Sequence, residues 1–217
     1  MGAPGHGRWC NPFDREHGLE TSGQITAWRL GGKHRYAEFA TGYLGVQPSL
    51  MRAVLERWRG TPGTVPTEVC AFVDVGCGKG RALLLASEMP FREVMGVELA
   101  GDLVTIAQRN VARWNLVGRP CSPVKVVHAD ATEVELPEGA LLVYLFSPFG
   151  APVLQRLQNR QTAVDVLYVF PRAEAVFAEF PAFELLWKED LSVAAQDGGA
   201  DGVTGKVECC NAYRLRG

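Results

Sequence analysis

One stretch constrains this chain more than any other. The near-continuous apolar run Val69-Cys-Ala-Phe-Val-Asp-Val75 ends directly in Gly76-Cys-Gly-Lys-Gly80. A strand that is apolar on both faces has to be buried on both, which is the environment of a parallel sheet covered by helices. The glycines let the chain turn through backbone angles closed to other residues and let a ligand come close to the main chain. The helix expected next points the positive end of its dipole at that place. Similar runs recur at Val94–Val97, Val124–Val127, Leu141–Phe146 and Val164–Phe170. Helical periodicity is expected over 48–58, roughly 79–89, 101–116, 151–160 and 172–180. Two last strands are expected over 183–191 and 205–215, around the turn Asp197-Gly-Gly-Ala-Asp-Gly202. Alternating strands and helices predict an α/β fold, a mostly parallel seven-stranded sheet with helices on both faces. In such sheets ligands bind outside the carboxyl ends of the strands.

Composition narrows the function. With 217 residues, 47% hydrophobic and 21% charged, the chain is neither disordered nor fibrous. Lys and Arg number 22 against 24 Asp and Glu, so there is no net positive field to hold a polyanion. Nucleic acid is therefore not expected as the main partner. The longest uncharged apolar stretch, Gly139 to Gln155, is broken by Pro148 and Pro152, and a membrane span needs about 20 apolar residues. The opening Met1-Gly-Ala-Pro-Gly-His6 lacks the apolar core of a signal peptide, so a cytoplasmic protein is expected. Six cysteines without a Cys-x-x-Cys pair or a Cys/His spacing predict reduced thiols and no metal, with Cys70 as core filling. Residues 1–47 are polar and glycine-rich and are expected to form an N-terminal extension or lid, with the main domain over 48–217.

The strand ends carry the chemistry. A dinucleotide fingerprint would place its third glycine at position 81, where this chain has Arg81, with the glycine at 80 instead. Asp74 just before the turn also disfavours a pyrophosphate. Lys79 and Arg81 are expected as charges on the helix face. Glu98 ends the second strand 20 residues beyond Gly78, where a carboxylate can accept from both hydroxyls of a ribose. Asp130 ends the third strand, where a carboxylate can accept from an adenine amine. His128 is expected to pack or cap.

In that order, Phe72-Val-Asp-Val-Gly-Cys-Gly-Lys-Gly-Arg81, Gly96-Val-Glu-Leu99 and His128-Ala-Asp130 resemble the three cofactor motifs of class I S-adenosylmethionine-dependent methyltransferases. The resemblance covers about residues 48 to 190. It implies a Rossmann-like methyltransferase fold and S-adenosyl-L-methionine as cofactor, leaving as S-adenosyl-L-homocysteine. It also implies a cofactor site made of Asp74, Gly76, Cys77, Gly78, Gly80, Glu98, Leu99, Asp130 and Ala131.

The fourth strand ends in Tyr144-Leu-Phe-Ser-Pro-Phe149. This resembles the Asn/Asp/Ser-Pro-Pro-Tyr/Phe motif of methyltransferases that act on amino nitrogens, with one proline in place of two. The likeness implies Ser147, Pro148 and Phe149 as catalytic residues that orient the acceptor nitrogen. The segment is also similar to that of small bacterial methyltransferases with Tyr-Leu-(Tyr/Phe)-Asn-Pro-Phe. These share a stretch like Phe13–Gly23 and a later Gly42-Tyr43 … Pro48-Ser49, which implies Thr21 and Tyr43 as lid contacts. Tyr43, Tyr144, Asp14 and His128 are candidate bases by location alone, and none is needed if the site takes a neutral amine. The expected acceptor is a small-molecule or protein amine. The alternatives are O-methylation, another S-adenosylmethionine-dependent reaction of specialised metabolism, or a cofactor-binding regulatory module without activity.

Overall fold

The computed structural model describes residues 10–25, 42–116, 121–146, 151–194, 197 and 207–216. The N-terminal stretch, expected as a polar, glycine-rich extension, carries a short helix, α1 (Pro12–His17). Its start is written in Asn11-Pro12: the Asn11 side chain accepts from Phe13 N and proline occupies the first turn. Gly18, at φ 66°, ends it in the left-handed conformation. Two-residue strands β1 (Gln24–Ile25) and β2 (Tyr43–Leu44) pair antiparallel, and α2 (Pro48–Arg59) follows. Phe13, Leu19 and Val46 enter the same core as Leu50, Leu83 and Trp114. The described part of the extension therefore packs as part of the sheet domain.

The sheet is then laid down from its centre. β3 (Cys70–Val75) is buried along its whole length, with Cys70 in the core as expected. It leads through the glycine turn to α3 (Arg81–Ala86) and β4 (Glu93–Glu98). Next come α4 (Gly101–Leu116) and β5 (Val124–His128). The chain crosses back to β6 (Ala140–Phe146), α5 (Ala151–Gln158) and β7 (Val164–Val169), and ends in β8 (Phe183–Ser192) and β9 (Val207–Leu215). The strand order is β5-β4-β3-β6-β7-β9-β8. The first five are parallel, and β9 runs antiparallel to β7 and to β8.

Two elements differ from expectation. The helix expected over 79–89 is only Arg81–Ala86, because Gly80 at φ 87° holds the chain in the loop until Arg81. The helix expected over 172–180 is a 3-10 helix, Glu174–Glu179, closed by bonds such as Phe180 N to Phe177 O. A left-handed Phe170 followed by Pro171 leaves too short a run for α-helical bonding.

Each sheet face buries its own core, with alternate residues of one strand serving opposite sides. Phe72 and Tyr144 join Trp58, Leu83 and Trp114 on the α2–α4 side. Val73 and Val143 join Leu154, Val166 and Phe177 on the other. Winding outward from β3 and then returning beside it makes β3/β6 the switch point, and in such sheets the ligand crevice lies outside the carboxyl ends there. No helix among the described residues is long and apolar enough to cross a membrane.

Candidate active site

Three glycines of the turn after β3 adopt left-handed backbone angles: Gly76 at φ 77°, Gly78 at 56° and Gly80 at 87°. A side chain at any of them is strained. The turn is pinned to the neighbouring strand, since Gly76 N and Cys77 N both donate to Val97 O, at 2.8 and 3.0 Å. The Cys77 side chain turns inward against Gly96, and burial pushes its thiol well above the usual range. What Cys77 offers a ligand is therefore main chain.

Glu98 completes this corner. Its two carboxylate oxygens accept from Gly78 N and Ala100 N, each at 2.8 Å. Each oxygen keeps a lone pair for a further donor, the demand made by a pair of ribose hydroxyls. One strand over, Asp130 Oδ1 accepts from Thr132 N and Oγ1, at 2.8 and 2.7 Å, and Ala131 O accepts from Arg156. Leu99 is exposed beside them, and its carbonyl faces His128 Nε2 at 3.0 Å. His128 packs on Gly101, as expected.

Asp74 and Tyr144 are register partners on β3 and β6. Asp74 is only 3% exposed and accepts no hydrogen bond from the described residues; burial and the nearby Glu98 push its carboxyl well above the ordinary range. The Tyr144 hydroxyl is buried without a partner among the described residues, and burial and Asp74 push it up as well. Buried polar groups are rarely left unbonded. This pair fits a ligand that brings a cation and a donor, as the α-ammonium of S-adenosylmethionine does. Glycine cradle, Glu98 and Asp74 thus match the methionine and ribose ends of that molecule, whose sulfonium supplies an activated methyl group when bound.

The N-terminal residues approach the cradle from above α3. Tyr43 lays its ring on Gly78, where an added Cβ would sit 2.3 Å from it, and its hydroxyl donates to Thr21 O at 2.5 Å. Thr21 is fully buried, and its hydroxyl donates to Asp14 and accepts from Arg81. Asp14 also accepts from Thr21 N and Ser22 N, which occupies the carboxylate.

Lys79 and Arg81 correct the expectation of helix-face charges. Arg81 is 1% exposed and donates to Thr21 Oγ1, Ser22 Oγ and Val46 O at 2.7, 3.1 and 3.2 Å. Lys79, also buried, donates to Ser22 O at 2.6 Å. A guanidinium's five forked donors suit such a junction. Asn110 is a residue the sequence did not single out; it bridges Glu20 O and Lys79 O. Ser147, Pro148 and Phe149 lie outside the described residues.

Residues 72–168 match a family model described as a methyltransferase domain. No curated protein matches the chain. Among solved structures, a putative RNA methyltransferase from Pyrococcus horikoshii is similar at TM-score 0.54 and 16% identity, covering 88% of this chain and 94% of that one. An RNA methyltransferase from Salinibacter ruber, solved with S-adenosyl-L-homocysteine, is similar at 0.50 and 18%, covering 80% and 94%. The cyclase SpnF is similar at 0.54 and 17%, covering 78% and 80%. At these identities the likeness establishes the fold, and it is the domain match together with the strand-tip residues that bears on activity. Residues 72–168 of this chain thus carry a methyltransferase domain on a Rossmann-like methyltransferase fold.

Proposed function

We propose that the enzyme transfers the methyl group to an amino nitrogen of a small molecule or protein side chain, working in the cytoplasm. The observation that supports this reading is the Asp74–Tyr144 register, which brings the end of β6 beside the Asp74 tip. In this reading Asp74 accepts from the cofactor's ammonium and Glu98 from its ribose. The main chain of Gly76, Cys77, Gly78 and Gly80 lines its sulfur-bearing arm, and Leu99, Asp130 and Ala131 flank its adenine. Tyr43 closes over the cradle, held by Thr21. Ser147 and its carbonyl accept the acceptor's N–H bonds, aiming the lone pair, while Pro148 and Phe149 shape that wall. Alignment of this kind is where much of a displacement's acceleration comes from.

The experiment is Ser147→Ala with label transfer from S-adenosylmethionine. The expected result is a kcat lower by about tenfold to a hundredfold with S-adenosylhomocysteine affinity unchanged. Unchanged turnover would remove Ser147 from the mechanism, and label found on oxygen would overturn the nitrogen assignment.

A further inference from the structure

Beyond Asp74, the crevice changes character. Phe146 ends β6 and is half-buried, two residues past Tyr144 on the same side of the sheet. Its register partner Val169 ends β7, and Phe170 follows at φ 59°, the one described residue other than glycine with a positive φ. An aromatic residue in the left-handed region is strained and persists only where its surroundings impose it; such outliers gather at functional sites. Here three bonds impose it. Phe170 N donates to Cys209 O at 3.1 Å, Arg172 N to Phe170 O at 2.8 Å, and Ala173 N to the Tyr168 hydroxyl at 3.1 Å. The outcome is a half-buried Phe170 ring 6.1 Å from that of Phe146, with the Arg172 guanidinium 5.1 Å above it. Arg172 is exposed and has no carboxylate partner among the described residues, while Lys188 is paired with Glu174.

Resting on the amino-nitrogen reading above, we infer that Phe146, Phe170 and Arg172 form the acceptor ledge, and that the acceptor is a small planar aromatic amine carrying one anionic group. Rings select a flat apolar body. Among the described residues of this ledge one guanidinium lacks a carboxylate partner, which matches one carboxylate or similar anion, whereas a nucleic-acid strand needs a track of cations. The engaged state of the four candidate bases fits the same acceptor. Asp14 accepts three bonds, Tyr43 donates to Thr21 O, burial holds the Tyr144 hydroxyl protonated, and His128 faces Leu99 O across the sheet. An alkyl ammonium, with a pKa of about 10.4, needs a base to free its lone pair. An aromatic amine is neutral at pH 7 and needs none. Its lone pair forms the N–C bond as the methyl–sulfur bond breaks, that electron pair stays on sulfur, and the weakly held N–H proton leaves to water.

The test is calorimetry on the full chain saturated with S-adenosylhomocysteine, using 2-, 3- and 4-aminobenzoate, aniline and a short single-stranded RNA. At least one aminobenzoate is expected to bind about tenfold or more tighter than aniline, from the charge-assisted bond. Arg172→Gln should remove that preference and leave aniline binding as it was. Phe170→Asn, which tolerates the left-handed angle, should weaken both aromatic ligands. Binding of none of the three acids, or an Arg172-dependent affinity for the RNA alone, overturns the proposal. Because these titrations read binding and not transfer, they fail independently of the nitrogen reading, which falls only on the Ser147 and label experiments.

Discussion

At the tips of β3 and β4 the polar groups are carboxylates and main-chain amides: Asp74, Glu98 and the nitrogens of Gly78 and Ala100. At the tips of β6 and β7 the side chains are instead two phenyl rings and a guanidinium. The first set is fixed by backbone angles and by strand-to-strand bonds such as Gly76 N to Val97 O, so its shape barely depends on which side chains surround it. The second is built from side chains around one strained turn. A ligand common to many enzymes suits the former, and a ligand peculiar to one enzyme suits the latter. In our reading the crevice thus meets a cationic cofactor on its acidic side and an anionic acceptor on its basic side.

The sharpest way to break this contrast is to unfasten the cofactor side. Arg81→Ala removes the buried donors to Thr21, Ser22 and Val46 and leaves the Asp14 carboxylate enclosed. Unpaired buried groups are expensive, so the folded state should lose about 3 kcal/mol or more, read by urea unfolding. S-adenosylhomocysteine affinity should fall with it, since Thr21 is the acceptor that holds Tyr43 over Gly78. A loss under about 1 kcal/mol would return Arg81 to the status of an ordinary surface charge.

Asp74→Asn separates the energetics of folding from those of binding. The Asp74 carboxyl lies above its ordinary range in the folded chain, through burial first and Glu98 second. The sign follows: the folded state holds this proton more tightly than the unfolded one. Stability is therefore greatest while Asp74 is protonated and declines as pH rises from the ordinary carboxylate range, about pH 4, through the raised value. Asparagine removes that decline, so at pH 8 the variant should be more stable than the parent by on the order of 1 kcal/mol. Its S-adenosylhomocysteine affinity should nevertheless drop about tenfold, because the ammonium loses its charged acceptor. Loss of both, or of neither, breaks the assignment of Asp74 to the ammonium.

These two residues also mark what a sequence discloses. Asp74, Glu98 and the glycines were legible because strand and turn chemistry is local: apolar runs fix the strands, and only certain residues fit the turn. Alternation alone was enough to imply seven strands. Arg81 was misread for the opposite reason. Its partners Thr21, Ser22 and Val46 come from chain segments 35 to 60 residues away, and helical spacing carries no trace of them. The same holds for Phe170, whose angle is set by Cys209 across the sheet. Helix α1 was overlooked although Asn11-Pro12 announced it, since six residues are too few for a periodicity to register.

The smallest expected effect tests which side of the comparison Tyr43 belongs to. Its ring covers Gly78 and lies under the Lys79 ammonium, 5.3 Å from the ring centre, while its hydroxyl donates to Thr21 O. Tyr43→Phe keeps the ring and deletes only that bond. The folded state should lose about 1 kcal/mol, and S-adenosylhomocysteine should bind two- to fivefold more weakly as the lid loosens. The pH–rate profile should keep its shape, because a hydroxyl committed to a main-chain carbonyl is poorly placed to take a proton from the acceptor. If the variant instead loses an alkaline limb and more than about a hundredfold in kcat, Tyr43 is the base. The acceptor would then be an amine that arrives protonated, and the basic side of the crevice would have to be reinterpreted around it.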